Sequence, residues 1–259
     1  MVAALHTSES QHLEEILRLV AKGVKRFRQR FPHLRILLRG DSAFCRDELM
    51  SWCEDHGVQY VFGLARNPVL ERILRGTLRS AQSRLDYNQS QSERLYKEFQ
   101  YGAKTWGKKR RVVGKAEWTR EGPNPRCVIT NLEAEEYPAQ GLDEVEYCGR
   151  GNLENRIKEQ KLDLFADRAS TETLRANQLR LWFSTLAYLL LNQLRRVGLA
   201  GTELAQATCG TIRLRWLKIG AVIRVTVRRV WVSLSSAYPL AELFGLVAER
   251  LRLRASGAT

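Results

Sequence analysis

The chain has 259 residues, 44% of them hydrophobic, which is enough to bury a real core and excludes a disordered tract. Its formal net charge of +14 points to a polyanionic partner, nucleic acid first, because Lys and Arg that neutralise phosphates release condensed counterions. "MVAALHTSES" has no basic n-region or long apolar h-region, so the expectation is a cytoplasmic protein with no membrane partner.

Leu13, Ile16, Leu17, Val20, Val24 and Phe27 recur at helical spacing after the capping candidates Thr7 and Ser8, and Pro32 ends that helix. A strand follows from Leu34 to Leu38, then Asp41, then a helix from about Arg46 to His56 closed by Gly57, then a strand from Gln59 to Leu64. Strand, helix and strand at this spacing predict a right-handed βαβ unit with parallel strands. Ligands collect at the carboxyl ends of such strands, where Asp41 sits. A carboxylate there is equally a ligand, a base or a helix cap.

From about Pro68 to Gln140 the pattern reads as polar strand-like pieces, "RLYKEFQYGA", "KKRRVVGKAEW" and "RCVITNL", which predicts an inserted, mostly antiparallel element. Helical pattern returns near Asn152 and runs to about Arg196 with a break around Ala169 to Thr171. Within it the apolar stretch Leu181 to Leu191 is too short for the roughly 20 residues of a membrane span and predicts a buried helix. The tail holds a basic strand-like run, "VIRVTVRRVWVSL", and a short helix around Leu240 to Leu253. The five cysteines form no Cys-x-x-Cys pair and the four histidines are dispersed, so zinc and disulfides are not expected.

The segment "YCGRGNLENRIKEQK" places Tyr147, Arg150, Glu154 and Lys161 three, four and seven residues apart. On one continuous helix they fall within roughly 60° of each other. A carboxylate between two cations and a phenol suits a site where metal and phosphate meet. The plainer alternative is an exposed helix with ordinary pairs such as Glu154 with Lys158.

These four residues resemble the Tyr-x2-Arg-x3-Glu-x6-Lys signature of DDE insertion-sequence transposases, and "RGDSAF…ELMSWCEDHGVQYVFGLARN" resembles the segment around their second catalytic aspartate. The resemblance implies an α/β, ribonuclease H-like core in which two aspartates and a glutamate hold two Mg²⁺ or Mn²⁺ ions for cut-and-paste transposition of DNA, in a homodimer when intact. It makes Asp41 and Glu154 the catalytic, metal-holding pair, and Tyr147, Arg150 and Lys161 DNA contacts. The β-rich insertion of the family offers an aromatic platform to the DNA end. Here that implies Trp106, or its rival Trp118, with Lys104, Lys108, Lys109, Arg110 and Arg111 as phosphate contacts, while Trp106 packed in a small core is the alternative. Arg224, Arg228 and Arg229 either bind DNA or solvate a sheet edge.

The family's first aspartate is borne on the first strand of its sheet, and residues 1–40 contain no aspartate. The expectation is therefore an amino-terminally truncated transposase, inactive by itself, or else a non-catalytic DNA-binding remnant that interferes with an intact relative. The corresponding divisions are 1–67 for the partial core, 68–140 for the insertion, 141–198 for the completing helices and 199–259 for the basic tail.

Overall fold

The computed structural model of the chain describes residues 13–256, and at Arg150, Asn152, Leu153 and 254–256 the backbone but not the side chains. The capping candidates Thr7 and Ser8 lie outside the described residues. Two compact units divide after Asn152.

The first unit opens with α1 (Leu13–Arg30), whose acidic first turn (Glu14, Glu15) and basic last turn (Arg28, Arg30) both complement the helix dipole. Arg28 donates to the carbonyls of His56 and Gly57 at 2.7 and 3.1 Å, tying α1 to the helix that follows β1. β1 (Leu37–Gly40), α2 (Asp47–Asp55) and β2 (Gln59–Leu64) form the expected βαβ unit, with β1 and β2 parallel. β1 lies further along the chain than the expected Leu34 to Leu38, because pairing with Val61 and Phe62 draws Arg39 and Gly40 into the ladder.

The next segment corrects the expected β-rich insertion twice. Its first part is a long helix, α3 (Pro68–Asn88), with Pro68 in the first turn and Asn67 accepting from the amides of Val69 and Leu70. Its strands, β3 (Ser92–Tyr101), β4 (Arg110–Thr119), β5 (Gly122–Pro123) and β6 (Arg126–Thr130), extend the same sheet as β1 and β2. The order β1-β2-β6-β4-β3 makes one mixed sheet, because β6 pairs antiparallel with β2. A boundary at residue 68 is therefore absent from the first unit.

Both faces of this sheet are buried, so β2 reads as an almost continuous apolar run. Tyr60, Phe62, Val112 and Ile129 point to the side covered by α1, α2 and α3, while Val61, Val113 and Val128 point to the side covered by Leu132, Leu142 and Tyr147. Gly114 has no side chain because α3 presses on it: a Cβ there would lie 2.5 Å from a methyl of Leu74.

The second unit follows α4 (Ala139–Gly141), a π-helical turn at Leu142–Tyr147 and a 3₁₀ turn at Cys148–Arg150. It holds most of α5 (Gly151–Leu164), with α6 (Leu174–Val197), α7 (Cys209–Thr211), a π-helical turn at Ile212–Leu217, the ribbon β7 (Ala221–Val225) and β8 (Val230–Leu234), and α8 (Ala241–Ser256). Its core joins Tyr188, Leu191, Leu199, Leu204, Ile212, Trp216 and Val247. The stretch Leu181 to Leu191 is not the buried helix expected. Ser184, Thr185, Tyr188 and Leu191 face inward, whereas Trp182, Phe183, Leu186 and Leu190 are exposed. Among the described residues no helix is long and apolar enough to cross a membrane.

One buried charge in the first unit makes a measurable prediction. Burial pushes the Glu117 carboxyl up, but Lys115 at 2.7 Å and Arg94 at 2.6 Å outweigh it and hold the group at about 2. Because the folded value is depressed below the ordinary 4.5, the stabilisation is complete above that value and is lost as pH falls from about 4.5 through about 2. Acid unfolding monitored by circular dichroism should show this slope, and Glu117→Gln should flatten it while lowering stability at neutral pH.

Candidate functional site

β1 and β2 are parallel, so their carboxyl ends open on the same side of the sheet. There the chain leaves β1 at Gly40 and turns at once. A Cβ on Gly40 would lie 2.8 Å from Phe44, which folds back over it. Asp41 caps the resulting 3₁₀ turn, Ser42–Phe44, accepting from the amide of Ala43 at 2.9 Å, and its side chain is exposed. The cap reading of this aspartate therefore holds, and the cap fixes where the carboxylate stands.

Two arginines that the sequence did not single out organise the surroundings. Arg39 donates to the carbonyl of Glu146 at 2.9 Å, and a Cβ on Gly149 would meet its guanidinium at 2.9 Å. Arg126, at the start of β6, grips buried Asp143 with two nitrogens at 3.1 and 2.8 Å and also reaches the Cys148 sulfur at 3.1 Å. Burial alone would lower the Arg126 pKa, but the Asp143 carboxylate raises it, so the charge is held. The same guanidinium lies 5.0 Å from the centroid of the Tyr147 ring.

Tyr147 is buried. Its hydroxyl lies over Gly63 of β2, where a Cβ would stand 2.5 Å from that oxygen and 3.3 Å from the amide nitrogen of Ser42. This revises the expected phosphate contact, since the phenol packs between the strand and Arg126. The single helical face revises with it. Tyr147 ends a π-helical turn and Arg150 a 3₁₀ turn, so only Glu154 and Lys161 belong to α5. The side chain of Arg150 lies outside the described residues.

In the second unit α5 is clamped along one side. Arg156 donates to the Tyr188 hydroxyl at 3.0 Å and Gln160 to Thr185 at 2.9 Å. Glu159 accepts from Arg195 at 2.9 Å, and Asp163 accepts from the amide of Gly210 at 2.7 Å. At about 100° per residue, Glu154 and Lys161 fall on the opposite side. Both are exposed, with Glu154 in the first turn and Lys161 in the last.

The expected basic cluster of the β region is largely committed to structure. Arg110 is buried and pairs with Asp47 at 2.6 Å and Glu54 at 2.7 Å, and also donates to Ser51 at 2.9 Å. Arg111 pairs with Glu98 at 2.9 Å and donates to the carbonyls of Leu132 and Tyr137, each at 2.8 Å. Neither is left to hold phosphate, which corrects both assignments. Trp106 is half-buried against the core, edge-on to Tyr101 at 5.7 Å and beneath Arg110 at 5.9 Å, so packing is the role its surroundings give it. Trp118, its rival, is also half-buried. Lys104 and Lys109 are exposed, as is Lys108, which pairs with Glu54 at 2.9 Å. The concavity beside them, about 580 Å³, is lined by Glu54, Glu98, Glu133 and Glu135 as well as by Lys108, Lys109, Arg110 and Arg111.

Among the described residues no group of three or more His, Cys, Asp or Glu side chains is gathered to hold a metal ion. Arg39 had a local signal, an arginine inside an apolar strand just before Gly40 and Asp41. The pairing of Arg126 with Asp143 had none, because it joins elements 17 residues apart.

The family model described as Transposase DDE domain group 1 matches residues 1–256. The chain belongs to that family, whose substrate is DNA and whose chemistry uses divalent metal ions. No curated protein matches it.

The contact at Gly63 can be tested directly. Gly63→Ala should destabilise the first unit by about 1–3 kcal/mol through overpacking. Tyr147→Phe in the same chain should recover part of that loss in a double-mutant cycle read by urea unfolding, because it removes the oxygen that the new methyl meets.

Proposed function

We propose that this chain serves cut-and-paste DNA transposition, on a ribonuclease H-like scaffold, with Asp41 and Glu154 as two of the three carboxylates that the reaction requires. The observation that carries the reading is the exposed Asp41 at the carboxyl end of a parallel strand pair, in a chain matched by a transposase DDE family over residues 1–256. In the reaction one P–O bond of a phosphodiester breaks as a new one forms to water or to a 3′ hydroxyl in line with it. Carboxylate oxygens are hard donors and fit Mg²⁺ or Mn²⁺ in kind, although two carboxylates are fewer than a pair of ions calls for. When bound, such ions activate the attacking oxygen and stabilise the leaving one.

The chain's own side chains do the rest. Asp41 is oriented by its bond from Ala43, and Glu154 is turned outward by the clamp on the other side of α5. Lys161 shares the face of Glu154 and supplies a point charge for a phosphate, Arg150 supplies a planar fork, and Lys108 and Lys109 add weaker contacts. A homodimer would bring two such sets to two DNA ends.

A second reading, a DNA-binding protein without catalysis, is favoured by one specific observation: residues 1–40 contain no aspartate. Among the described residues β1 ends the sheet order, and no third carboxylate stands with Asp41 to hold a metal ion. The chain alone is therefore inactive in this proposal. Incubated with Mg²⁺ or Mn²⁺ and a labelled duplex, it should bind with a steep salt dependence and leave the duplex uncut. Cleavage that disappears in the Asp41→Ala, Glu154→Ala double variant would overturn the inactivity and support both site residues. Cleavage that persists in that variant would overturn the assignment of the site.

A further inference from the structure

The ribbon of β7 and β8 stands apart from the rest of the second unit. Residues 221–234 include Arg224, Arg228 and Arg229 and no acidic residue. Every residue of both strands is exposed. Strand alternation sorts the ribbon into two faces: Val222, Arg224, Trp231 and Ser233 on one, and Ala221, Ile223, Val225, Val230, Val232 and Leu234 on the other. On the first face Arg224 stands directly across the ladder from Trp231, and the Arg229 guanidinium lies 6.0 Å from the indole centroid. Val222, Arg224, Trp231 and Ser233 line a shallow concavity of about 360 Å³. The turn is fixed by Thr226, whose hydroxyl accepts from the Arg229 amide at 3.2 Å and donates to its carbonyl at 2.9 Å.

We propose that this face binds single-stranded DNA: an unpaired base stacks on Trp231 while Arg224 and Arg229 pair with the flanking phosphates. The inference rests on the reading that DNA is the partner and adds a second contact, away from Asp41 and Glu154 in sequence. Charge selects the partner, since a face with arginines, no carboxylate and an indole 54% exposed complements an anionic chain that also carries flat apolar rings. Strandedness follows from the indole. In a duplex each base already stacks on its neighbours, so a tryptophan gains a partner only from an unpaired one.

The test is fluorescence anisotropy of the full chain with a labelled 20-nucleotide strand and with the matching duplex, across a salt series. Trp231→Ala should weaken single-strand binding about 10-fold or more, leave duplex binding within about twofold, and be largely rescued by Trp231→Phe. The Arg224→Ala, Arg229→Ala pair should reduce the single-strand salt slope by about 1.4, whereas Arg72→Ala with Arg79→Ala on exposed positions of α3 should cost no strand selectivity. Thermal melting should be unchanged in every ribbon variant, because no core side chain is touched.

Trp231→Ala binding the single strand as the wild type does would overturn the proposal. So would equal losses on strand and duplex, or an altered sedimentation coefficient without DNA, which would make the ribbon a contact between copies. Failure of the wild-type chain to bind any DNA would remove the underlying reading as well, whereas wild-type binding with unaltered variants would remove only the ribbon.

Discussion

Arg110 is a full positive charge inside the first unit, and the arrangement of α2 against the sheet depends on it. Desolvation would drive a lone guanidinium toward neutrality, but Glu54 and Asp47 raise its pKa instead and remain ionised themselves. Glu54 also accepts from the Tyr60 hydroxyl at 2.9 Å, so the network joins α2, β2 and β4. Such a group adds less net stability than its bonds suggest, since both partners surrendered hydration. Removing Arg110 would instead leave Asp47 and Glu54 without their shared partner, at a cost of about 3–5 kcal/mol.

The candidate site inherits its rigidity from that framework. α2 set against β4 fixes the crossover between β1 and β2, and the crossover begins at the turn that Asp41 caps. From the other side the sheet is closed by Tyr147 and by the Arg126 to Asp143 pair, which hold the segment leading into α5. Gly40 and Gly63 make the closure possible, because each leaves room for an aromatic side chain, Phe44 in one case and Tyr147 in the other. A carboxylate on an exposed turn is thereby mounted on a buried scaffold. That is the combination a positioned ligand needs.

Much of this was legible where local rules decide. The strand Gln59–Leu64 matches the sequence reading at both ends, since Gly57 and the apolar run mark it. The exposed Asp41 turn was legible from an apolar strand followed by Gly-Asp. α3 was missed although Asn67 and Pro68 form a helix-start signal, because only Leu70, Leu74 and Ala81 are deeply buried and the remaining positions read as polar. The inward side of α6 was misread for the opposite reason. Its apolar residues outnumber its polar ones, yet Ser184 and Thr185 face the bundle, and Thr185 accepts from Gln160 there. Composition locates a helix, whereas the spacing of its few small polar residues selects the face.

The same distinction governs the charge. A net +14 indicates an anionic partner without saying which cations meet it, and spacing alone grouped Arg110 and Arg111 with Lys108 and Lys109. Tertiary pairing separates them. Carboxylates reaching from α2 and from β3 claim the two arginines, while Lys109 remains on the surface. In residues 221–234 there is no acidic residue nearby in sequence, and the two-stranded ribbon folds nothing over its arginines. An arginine whose neighbours cannot neutralise it keeps its field in the solvent, where a phosphate can meet it. Local absence of acid, rather than local abundance of base, is therefore the feature that separates a binding cation from a structural one in this chain.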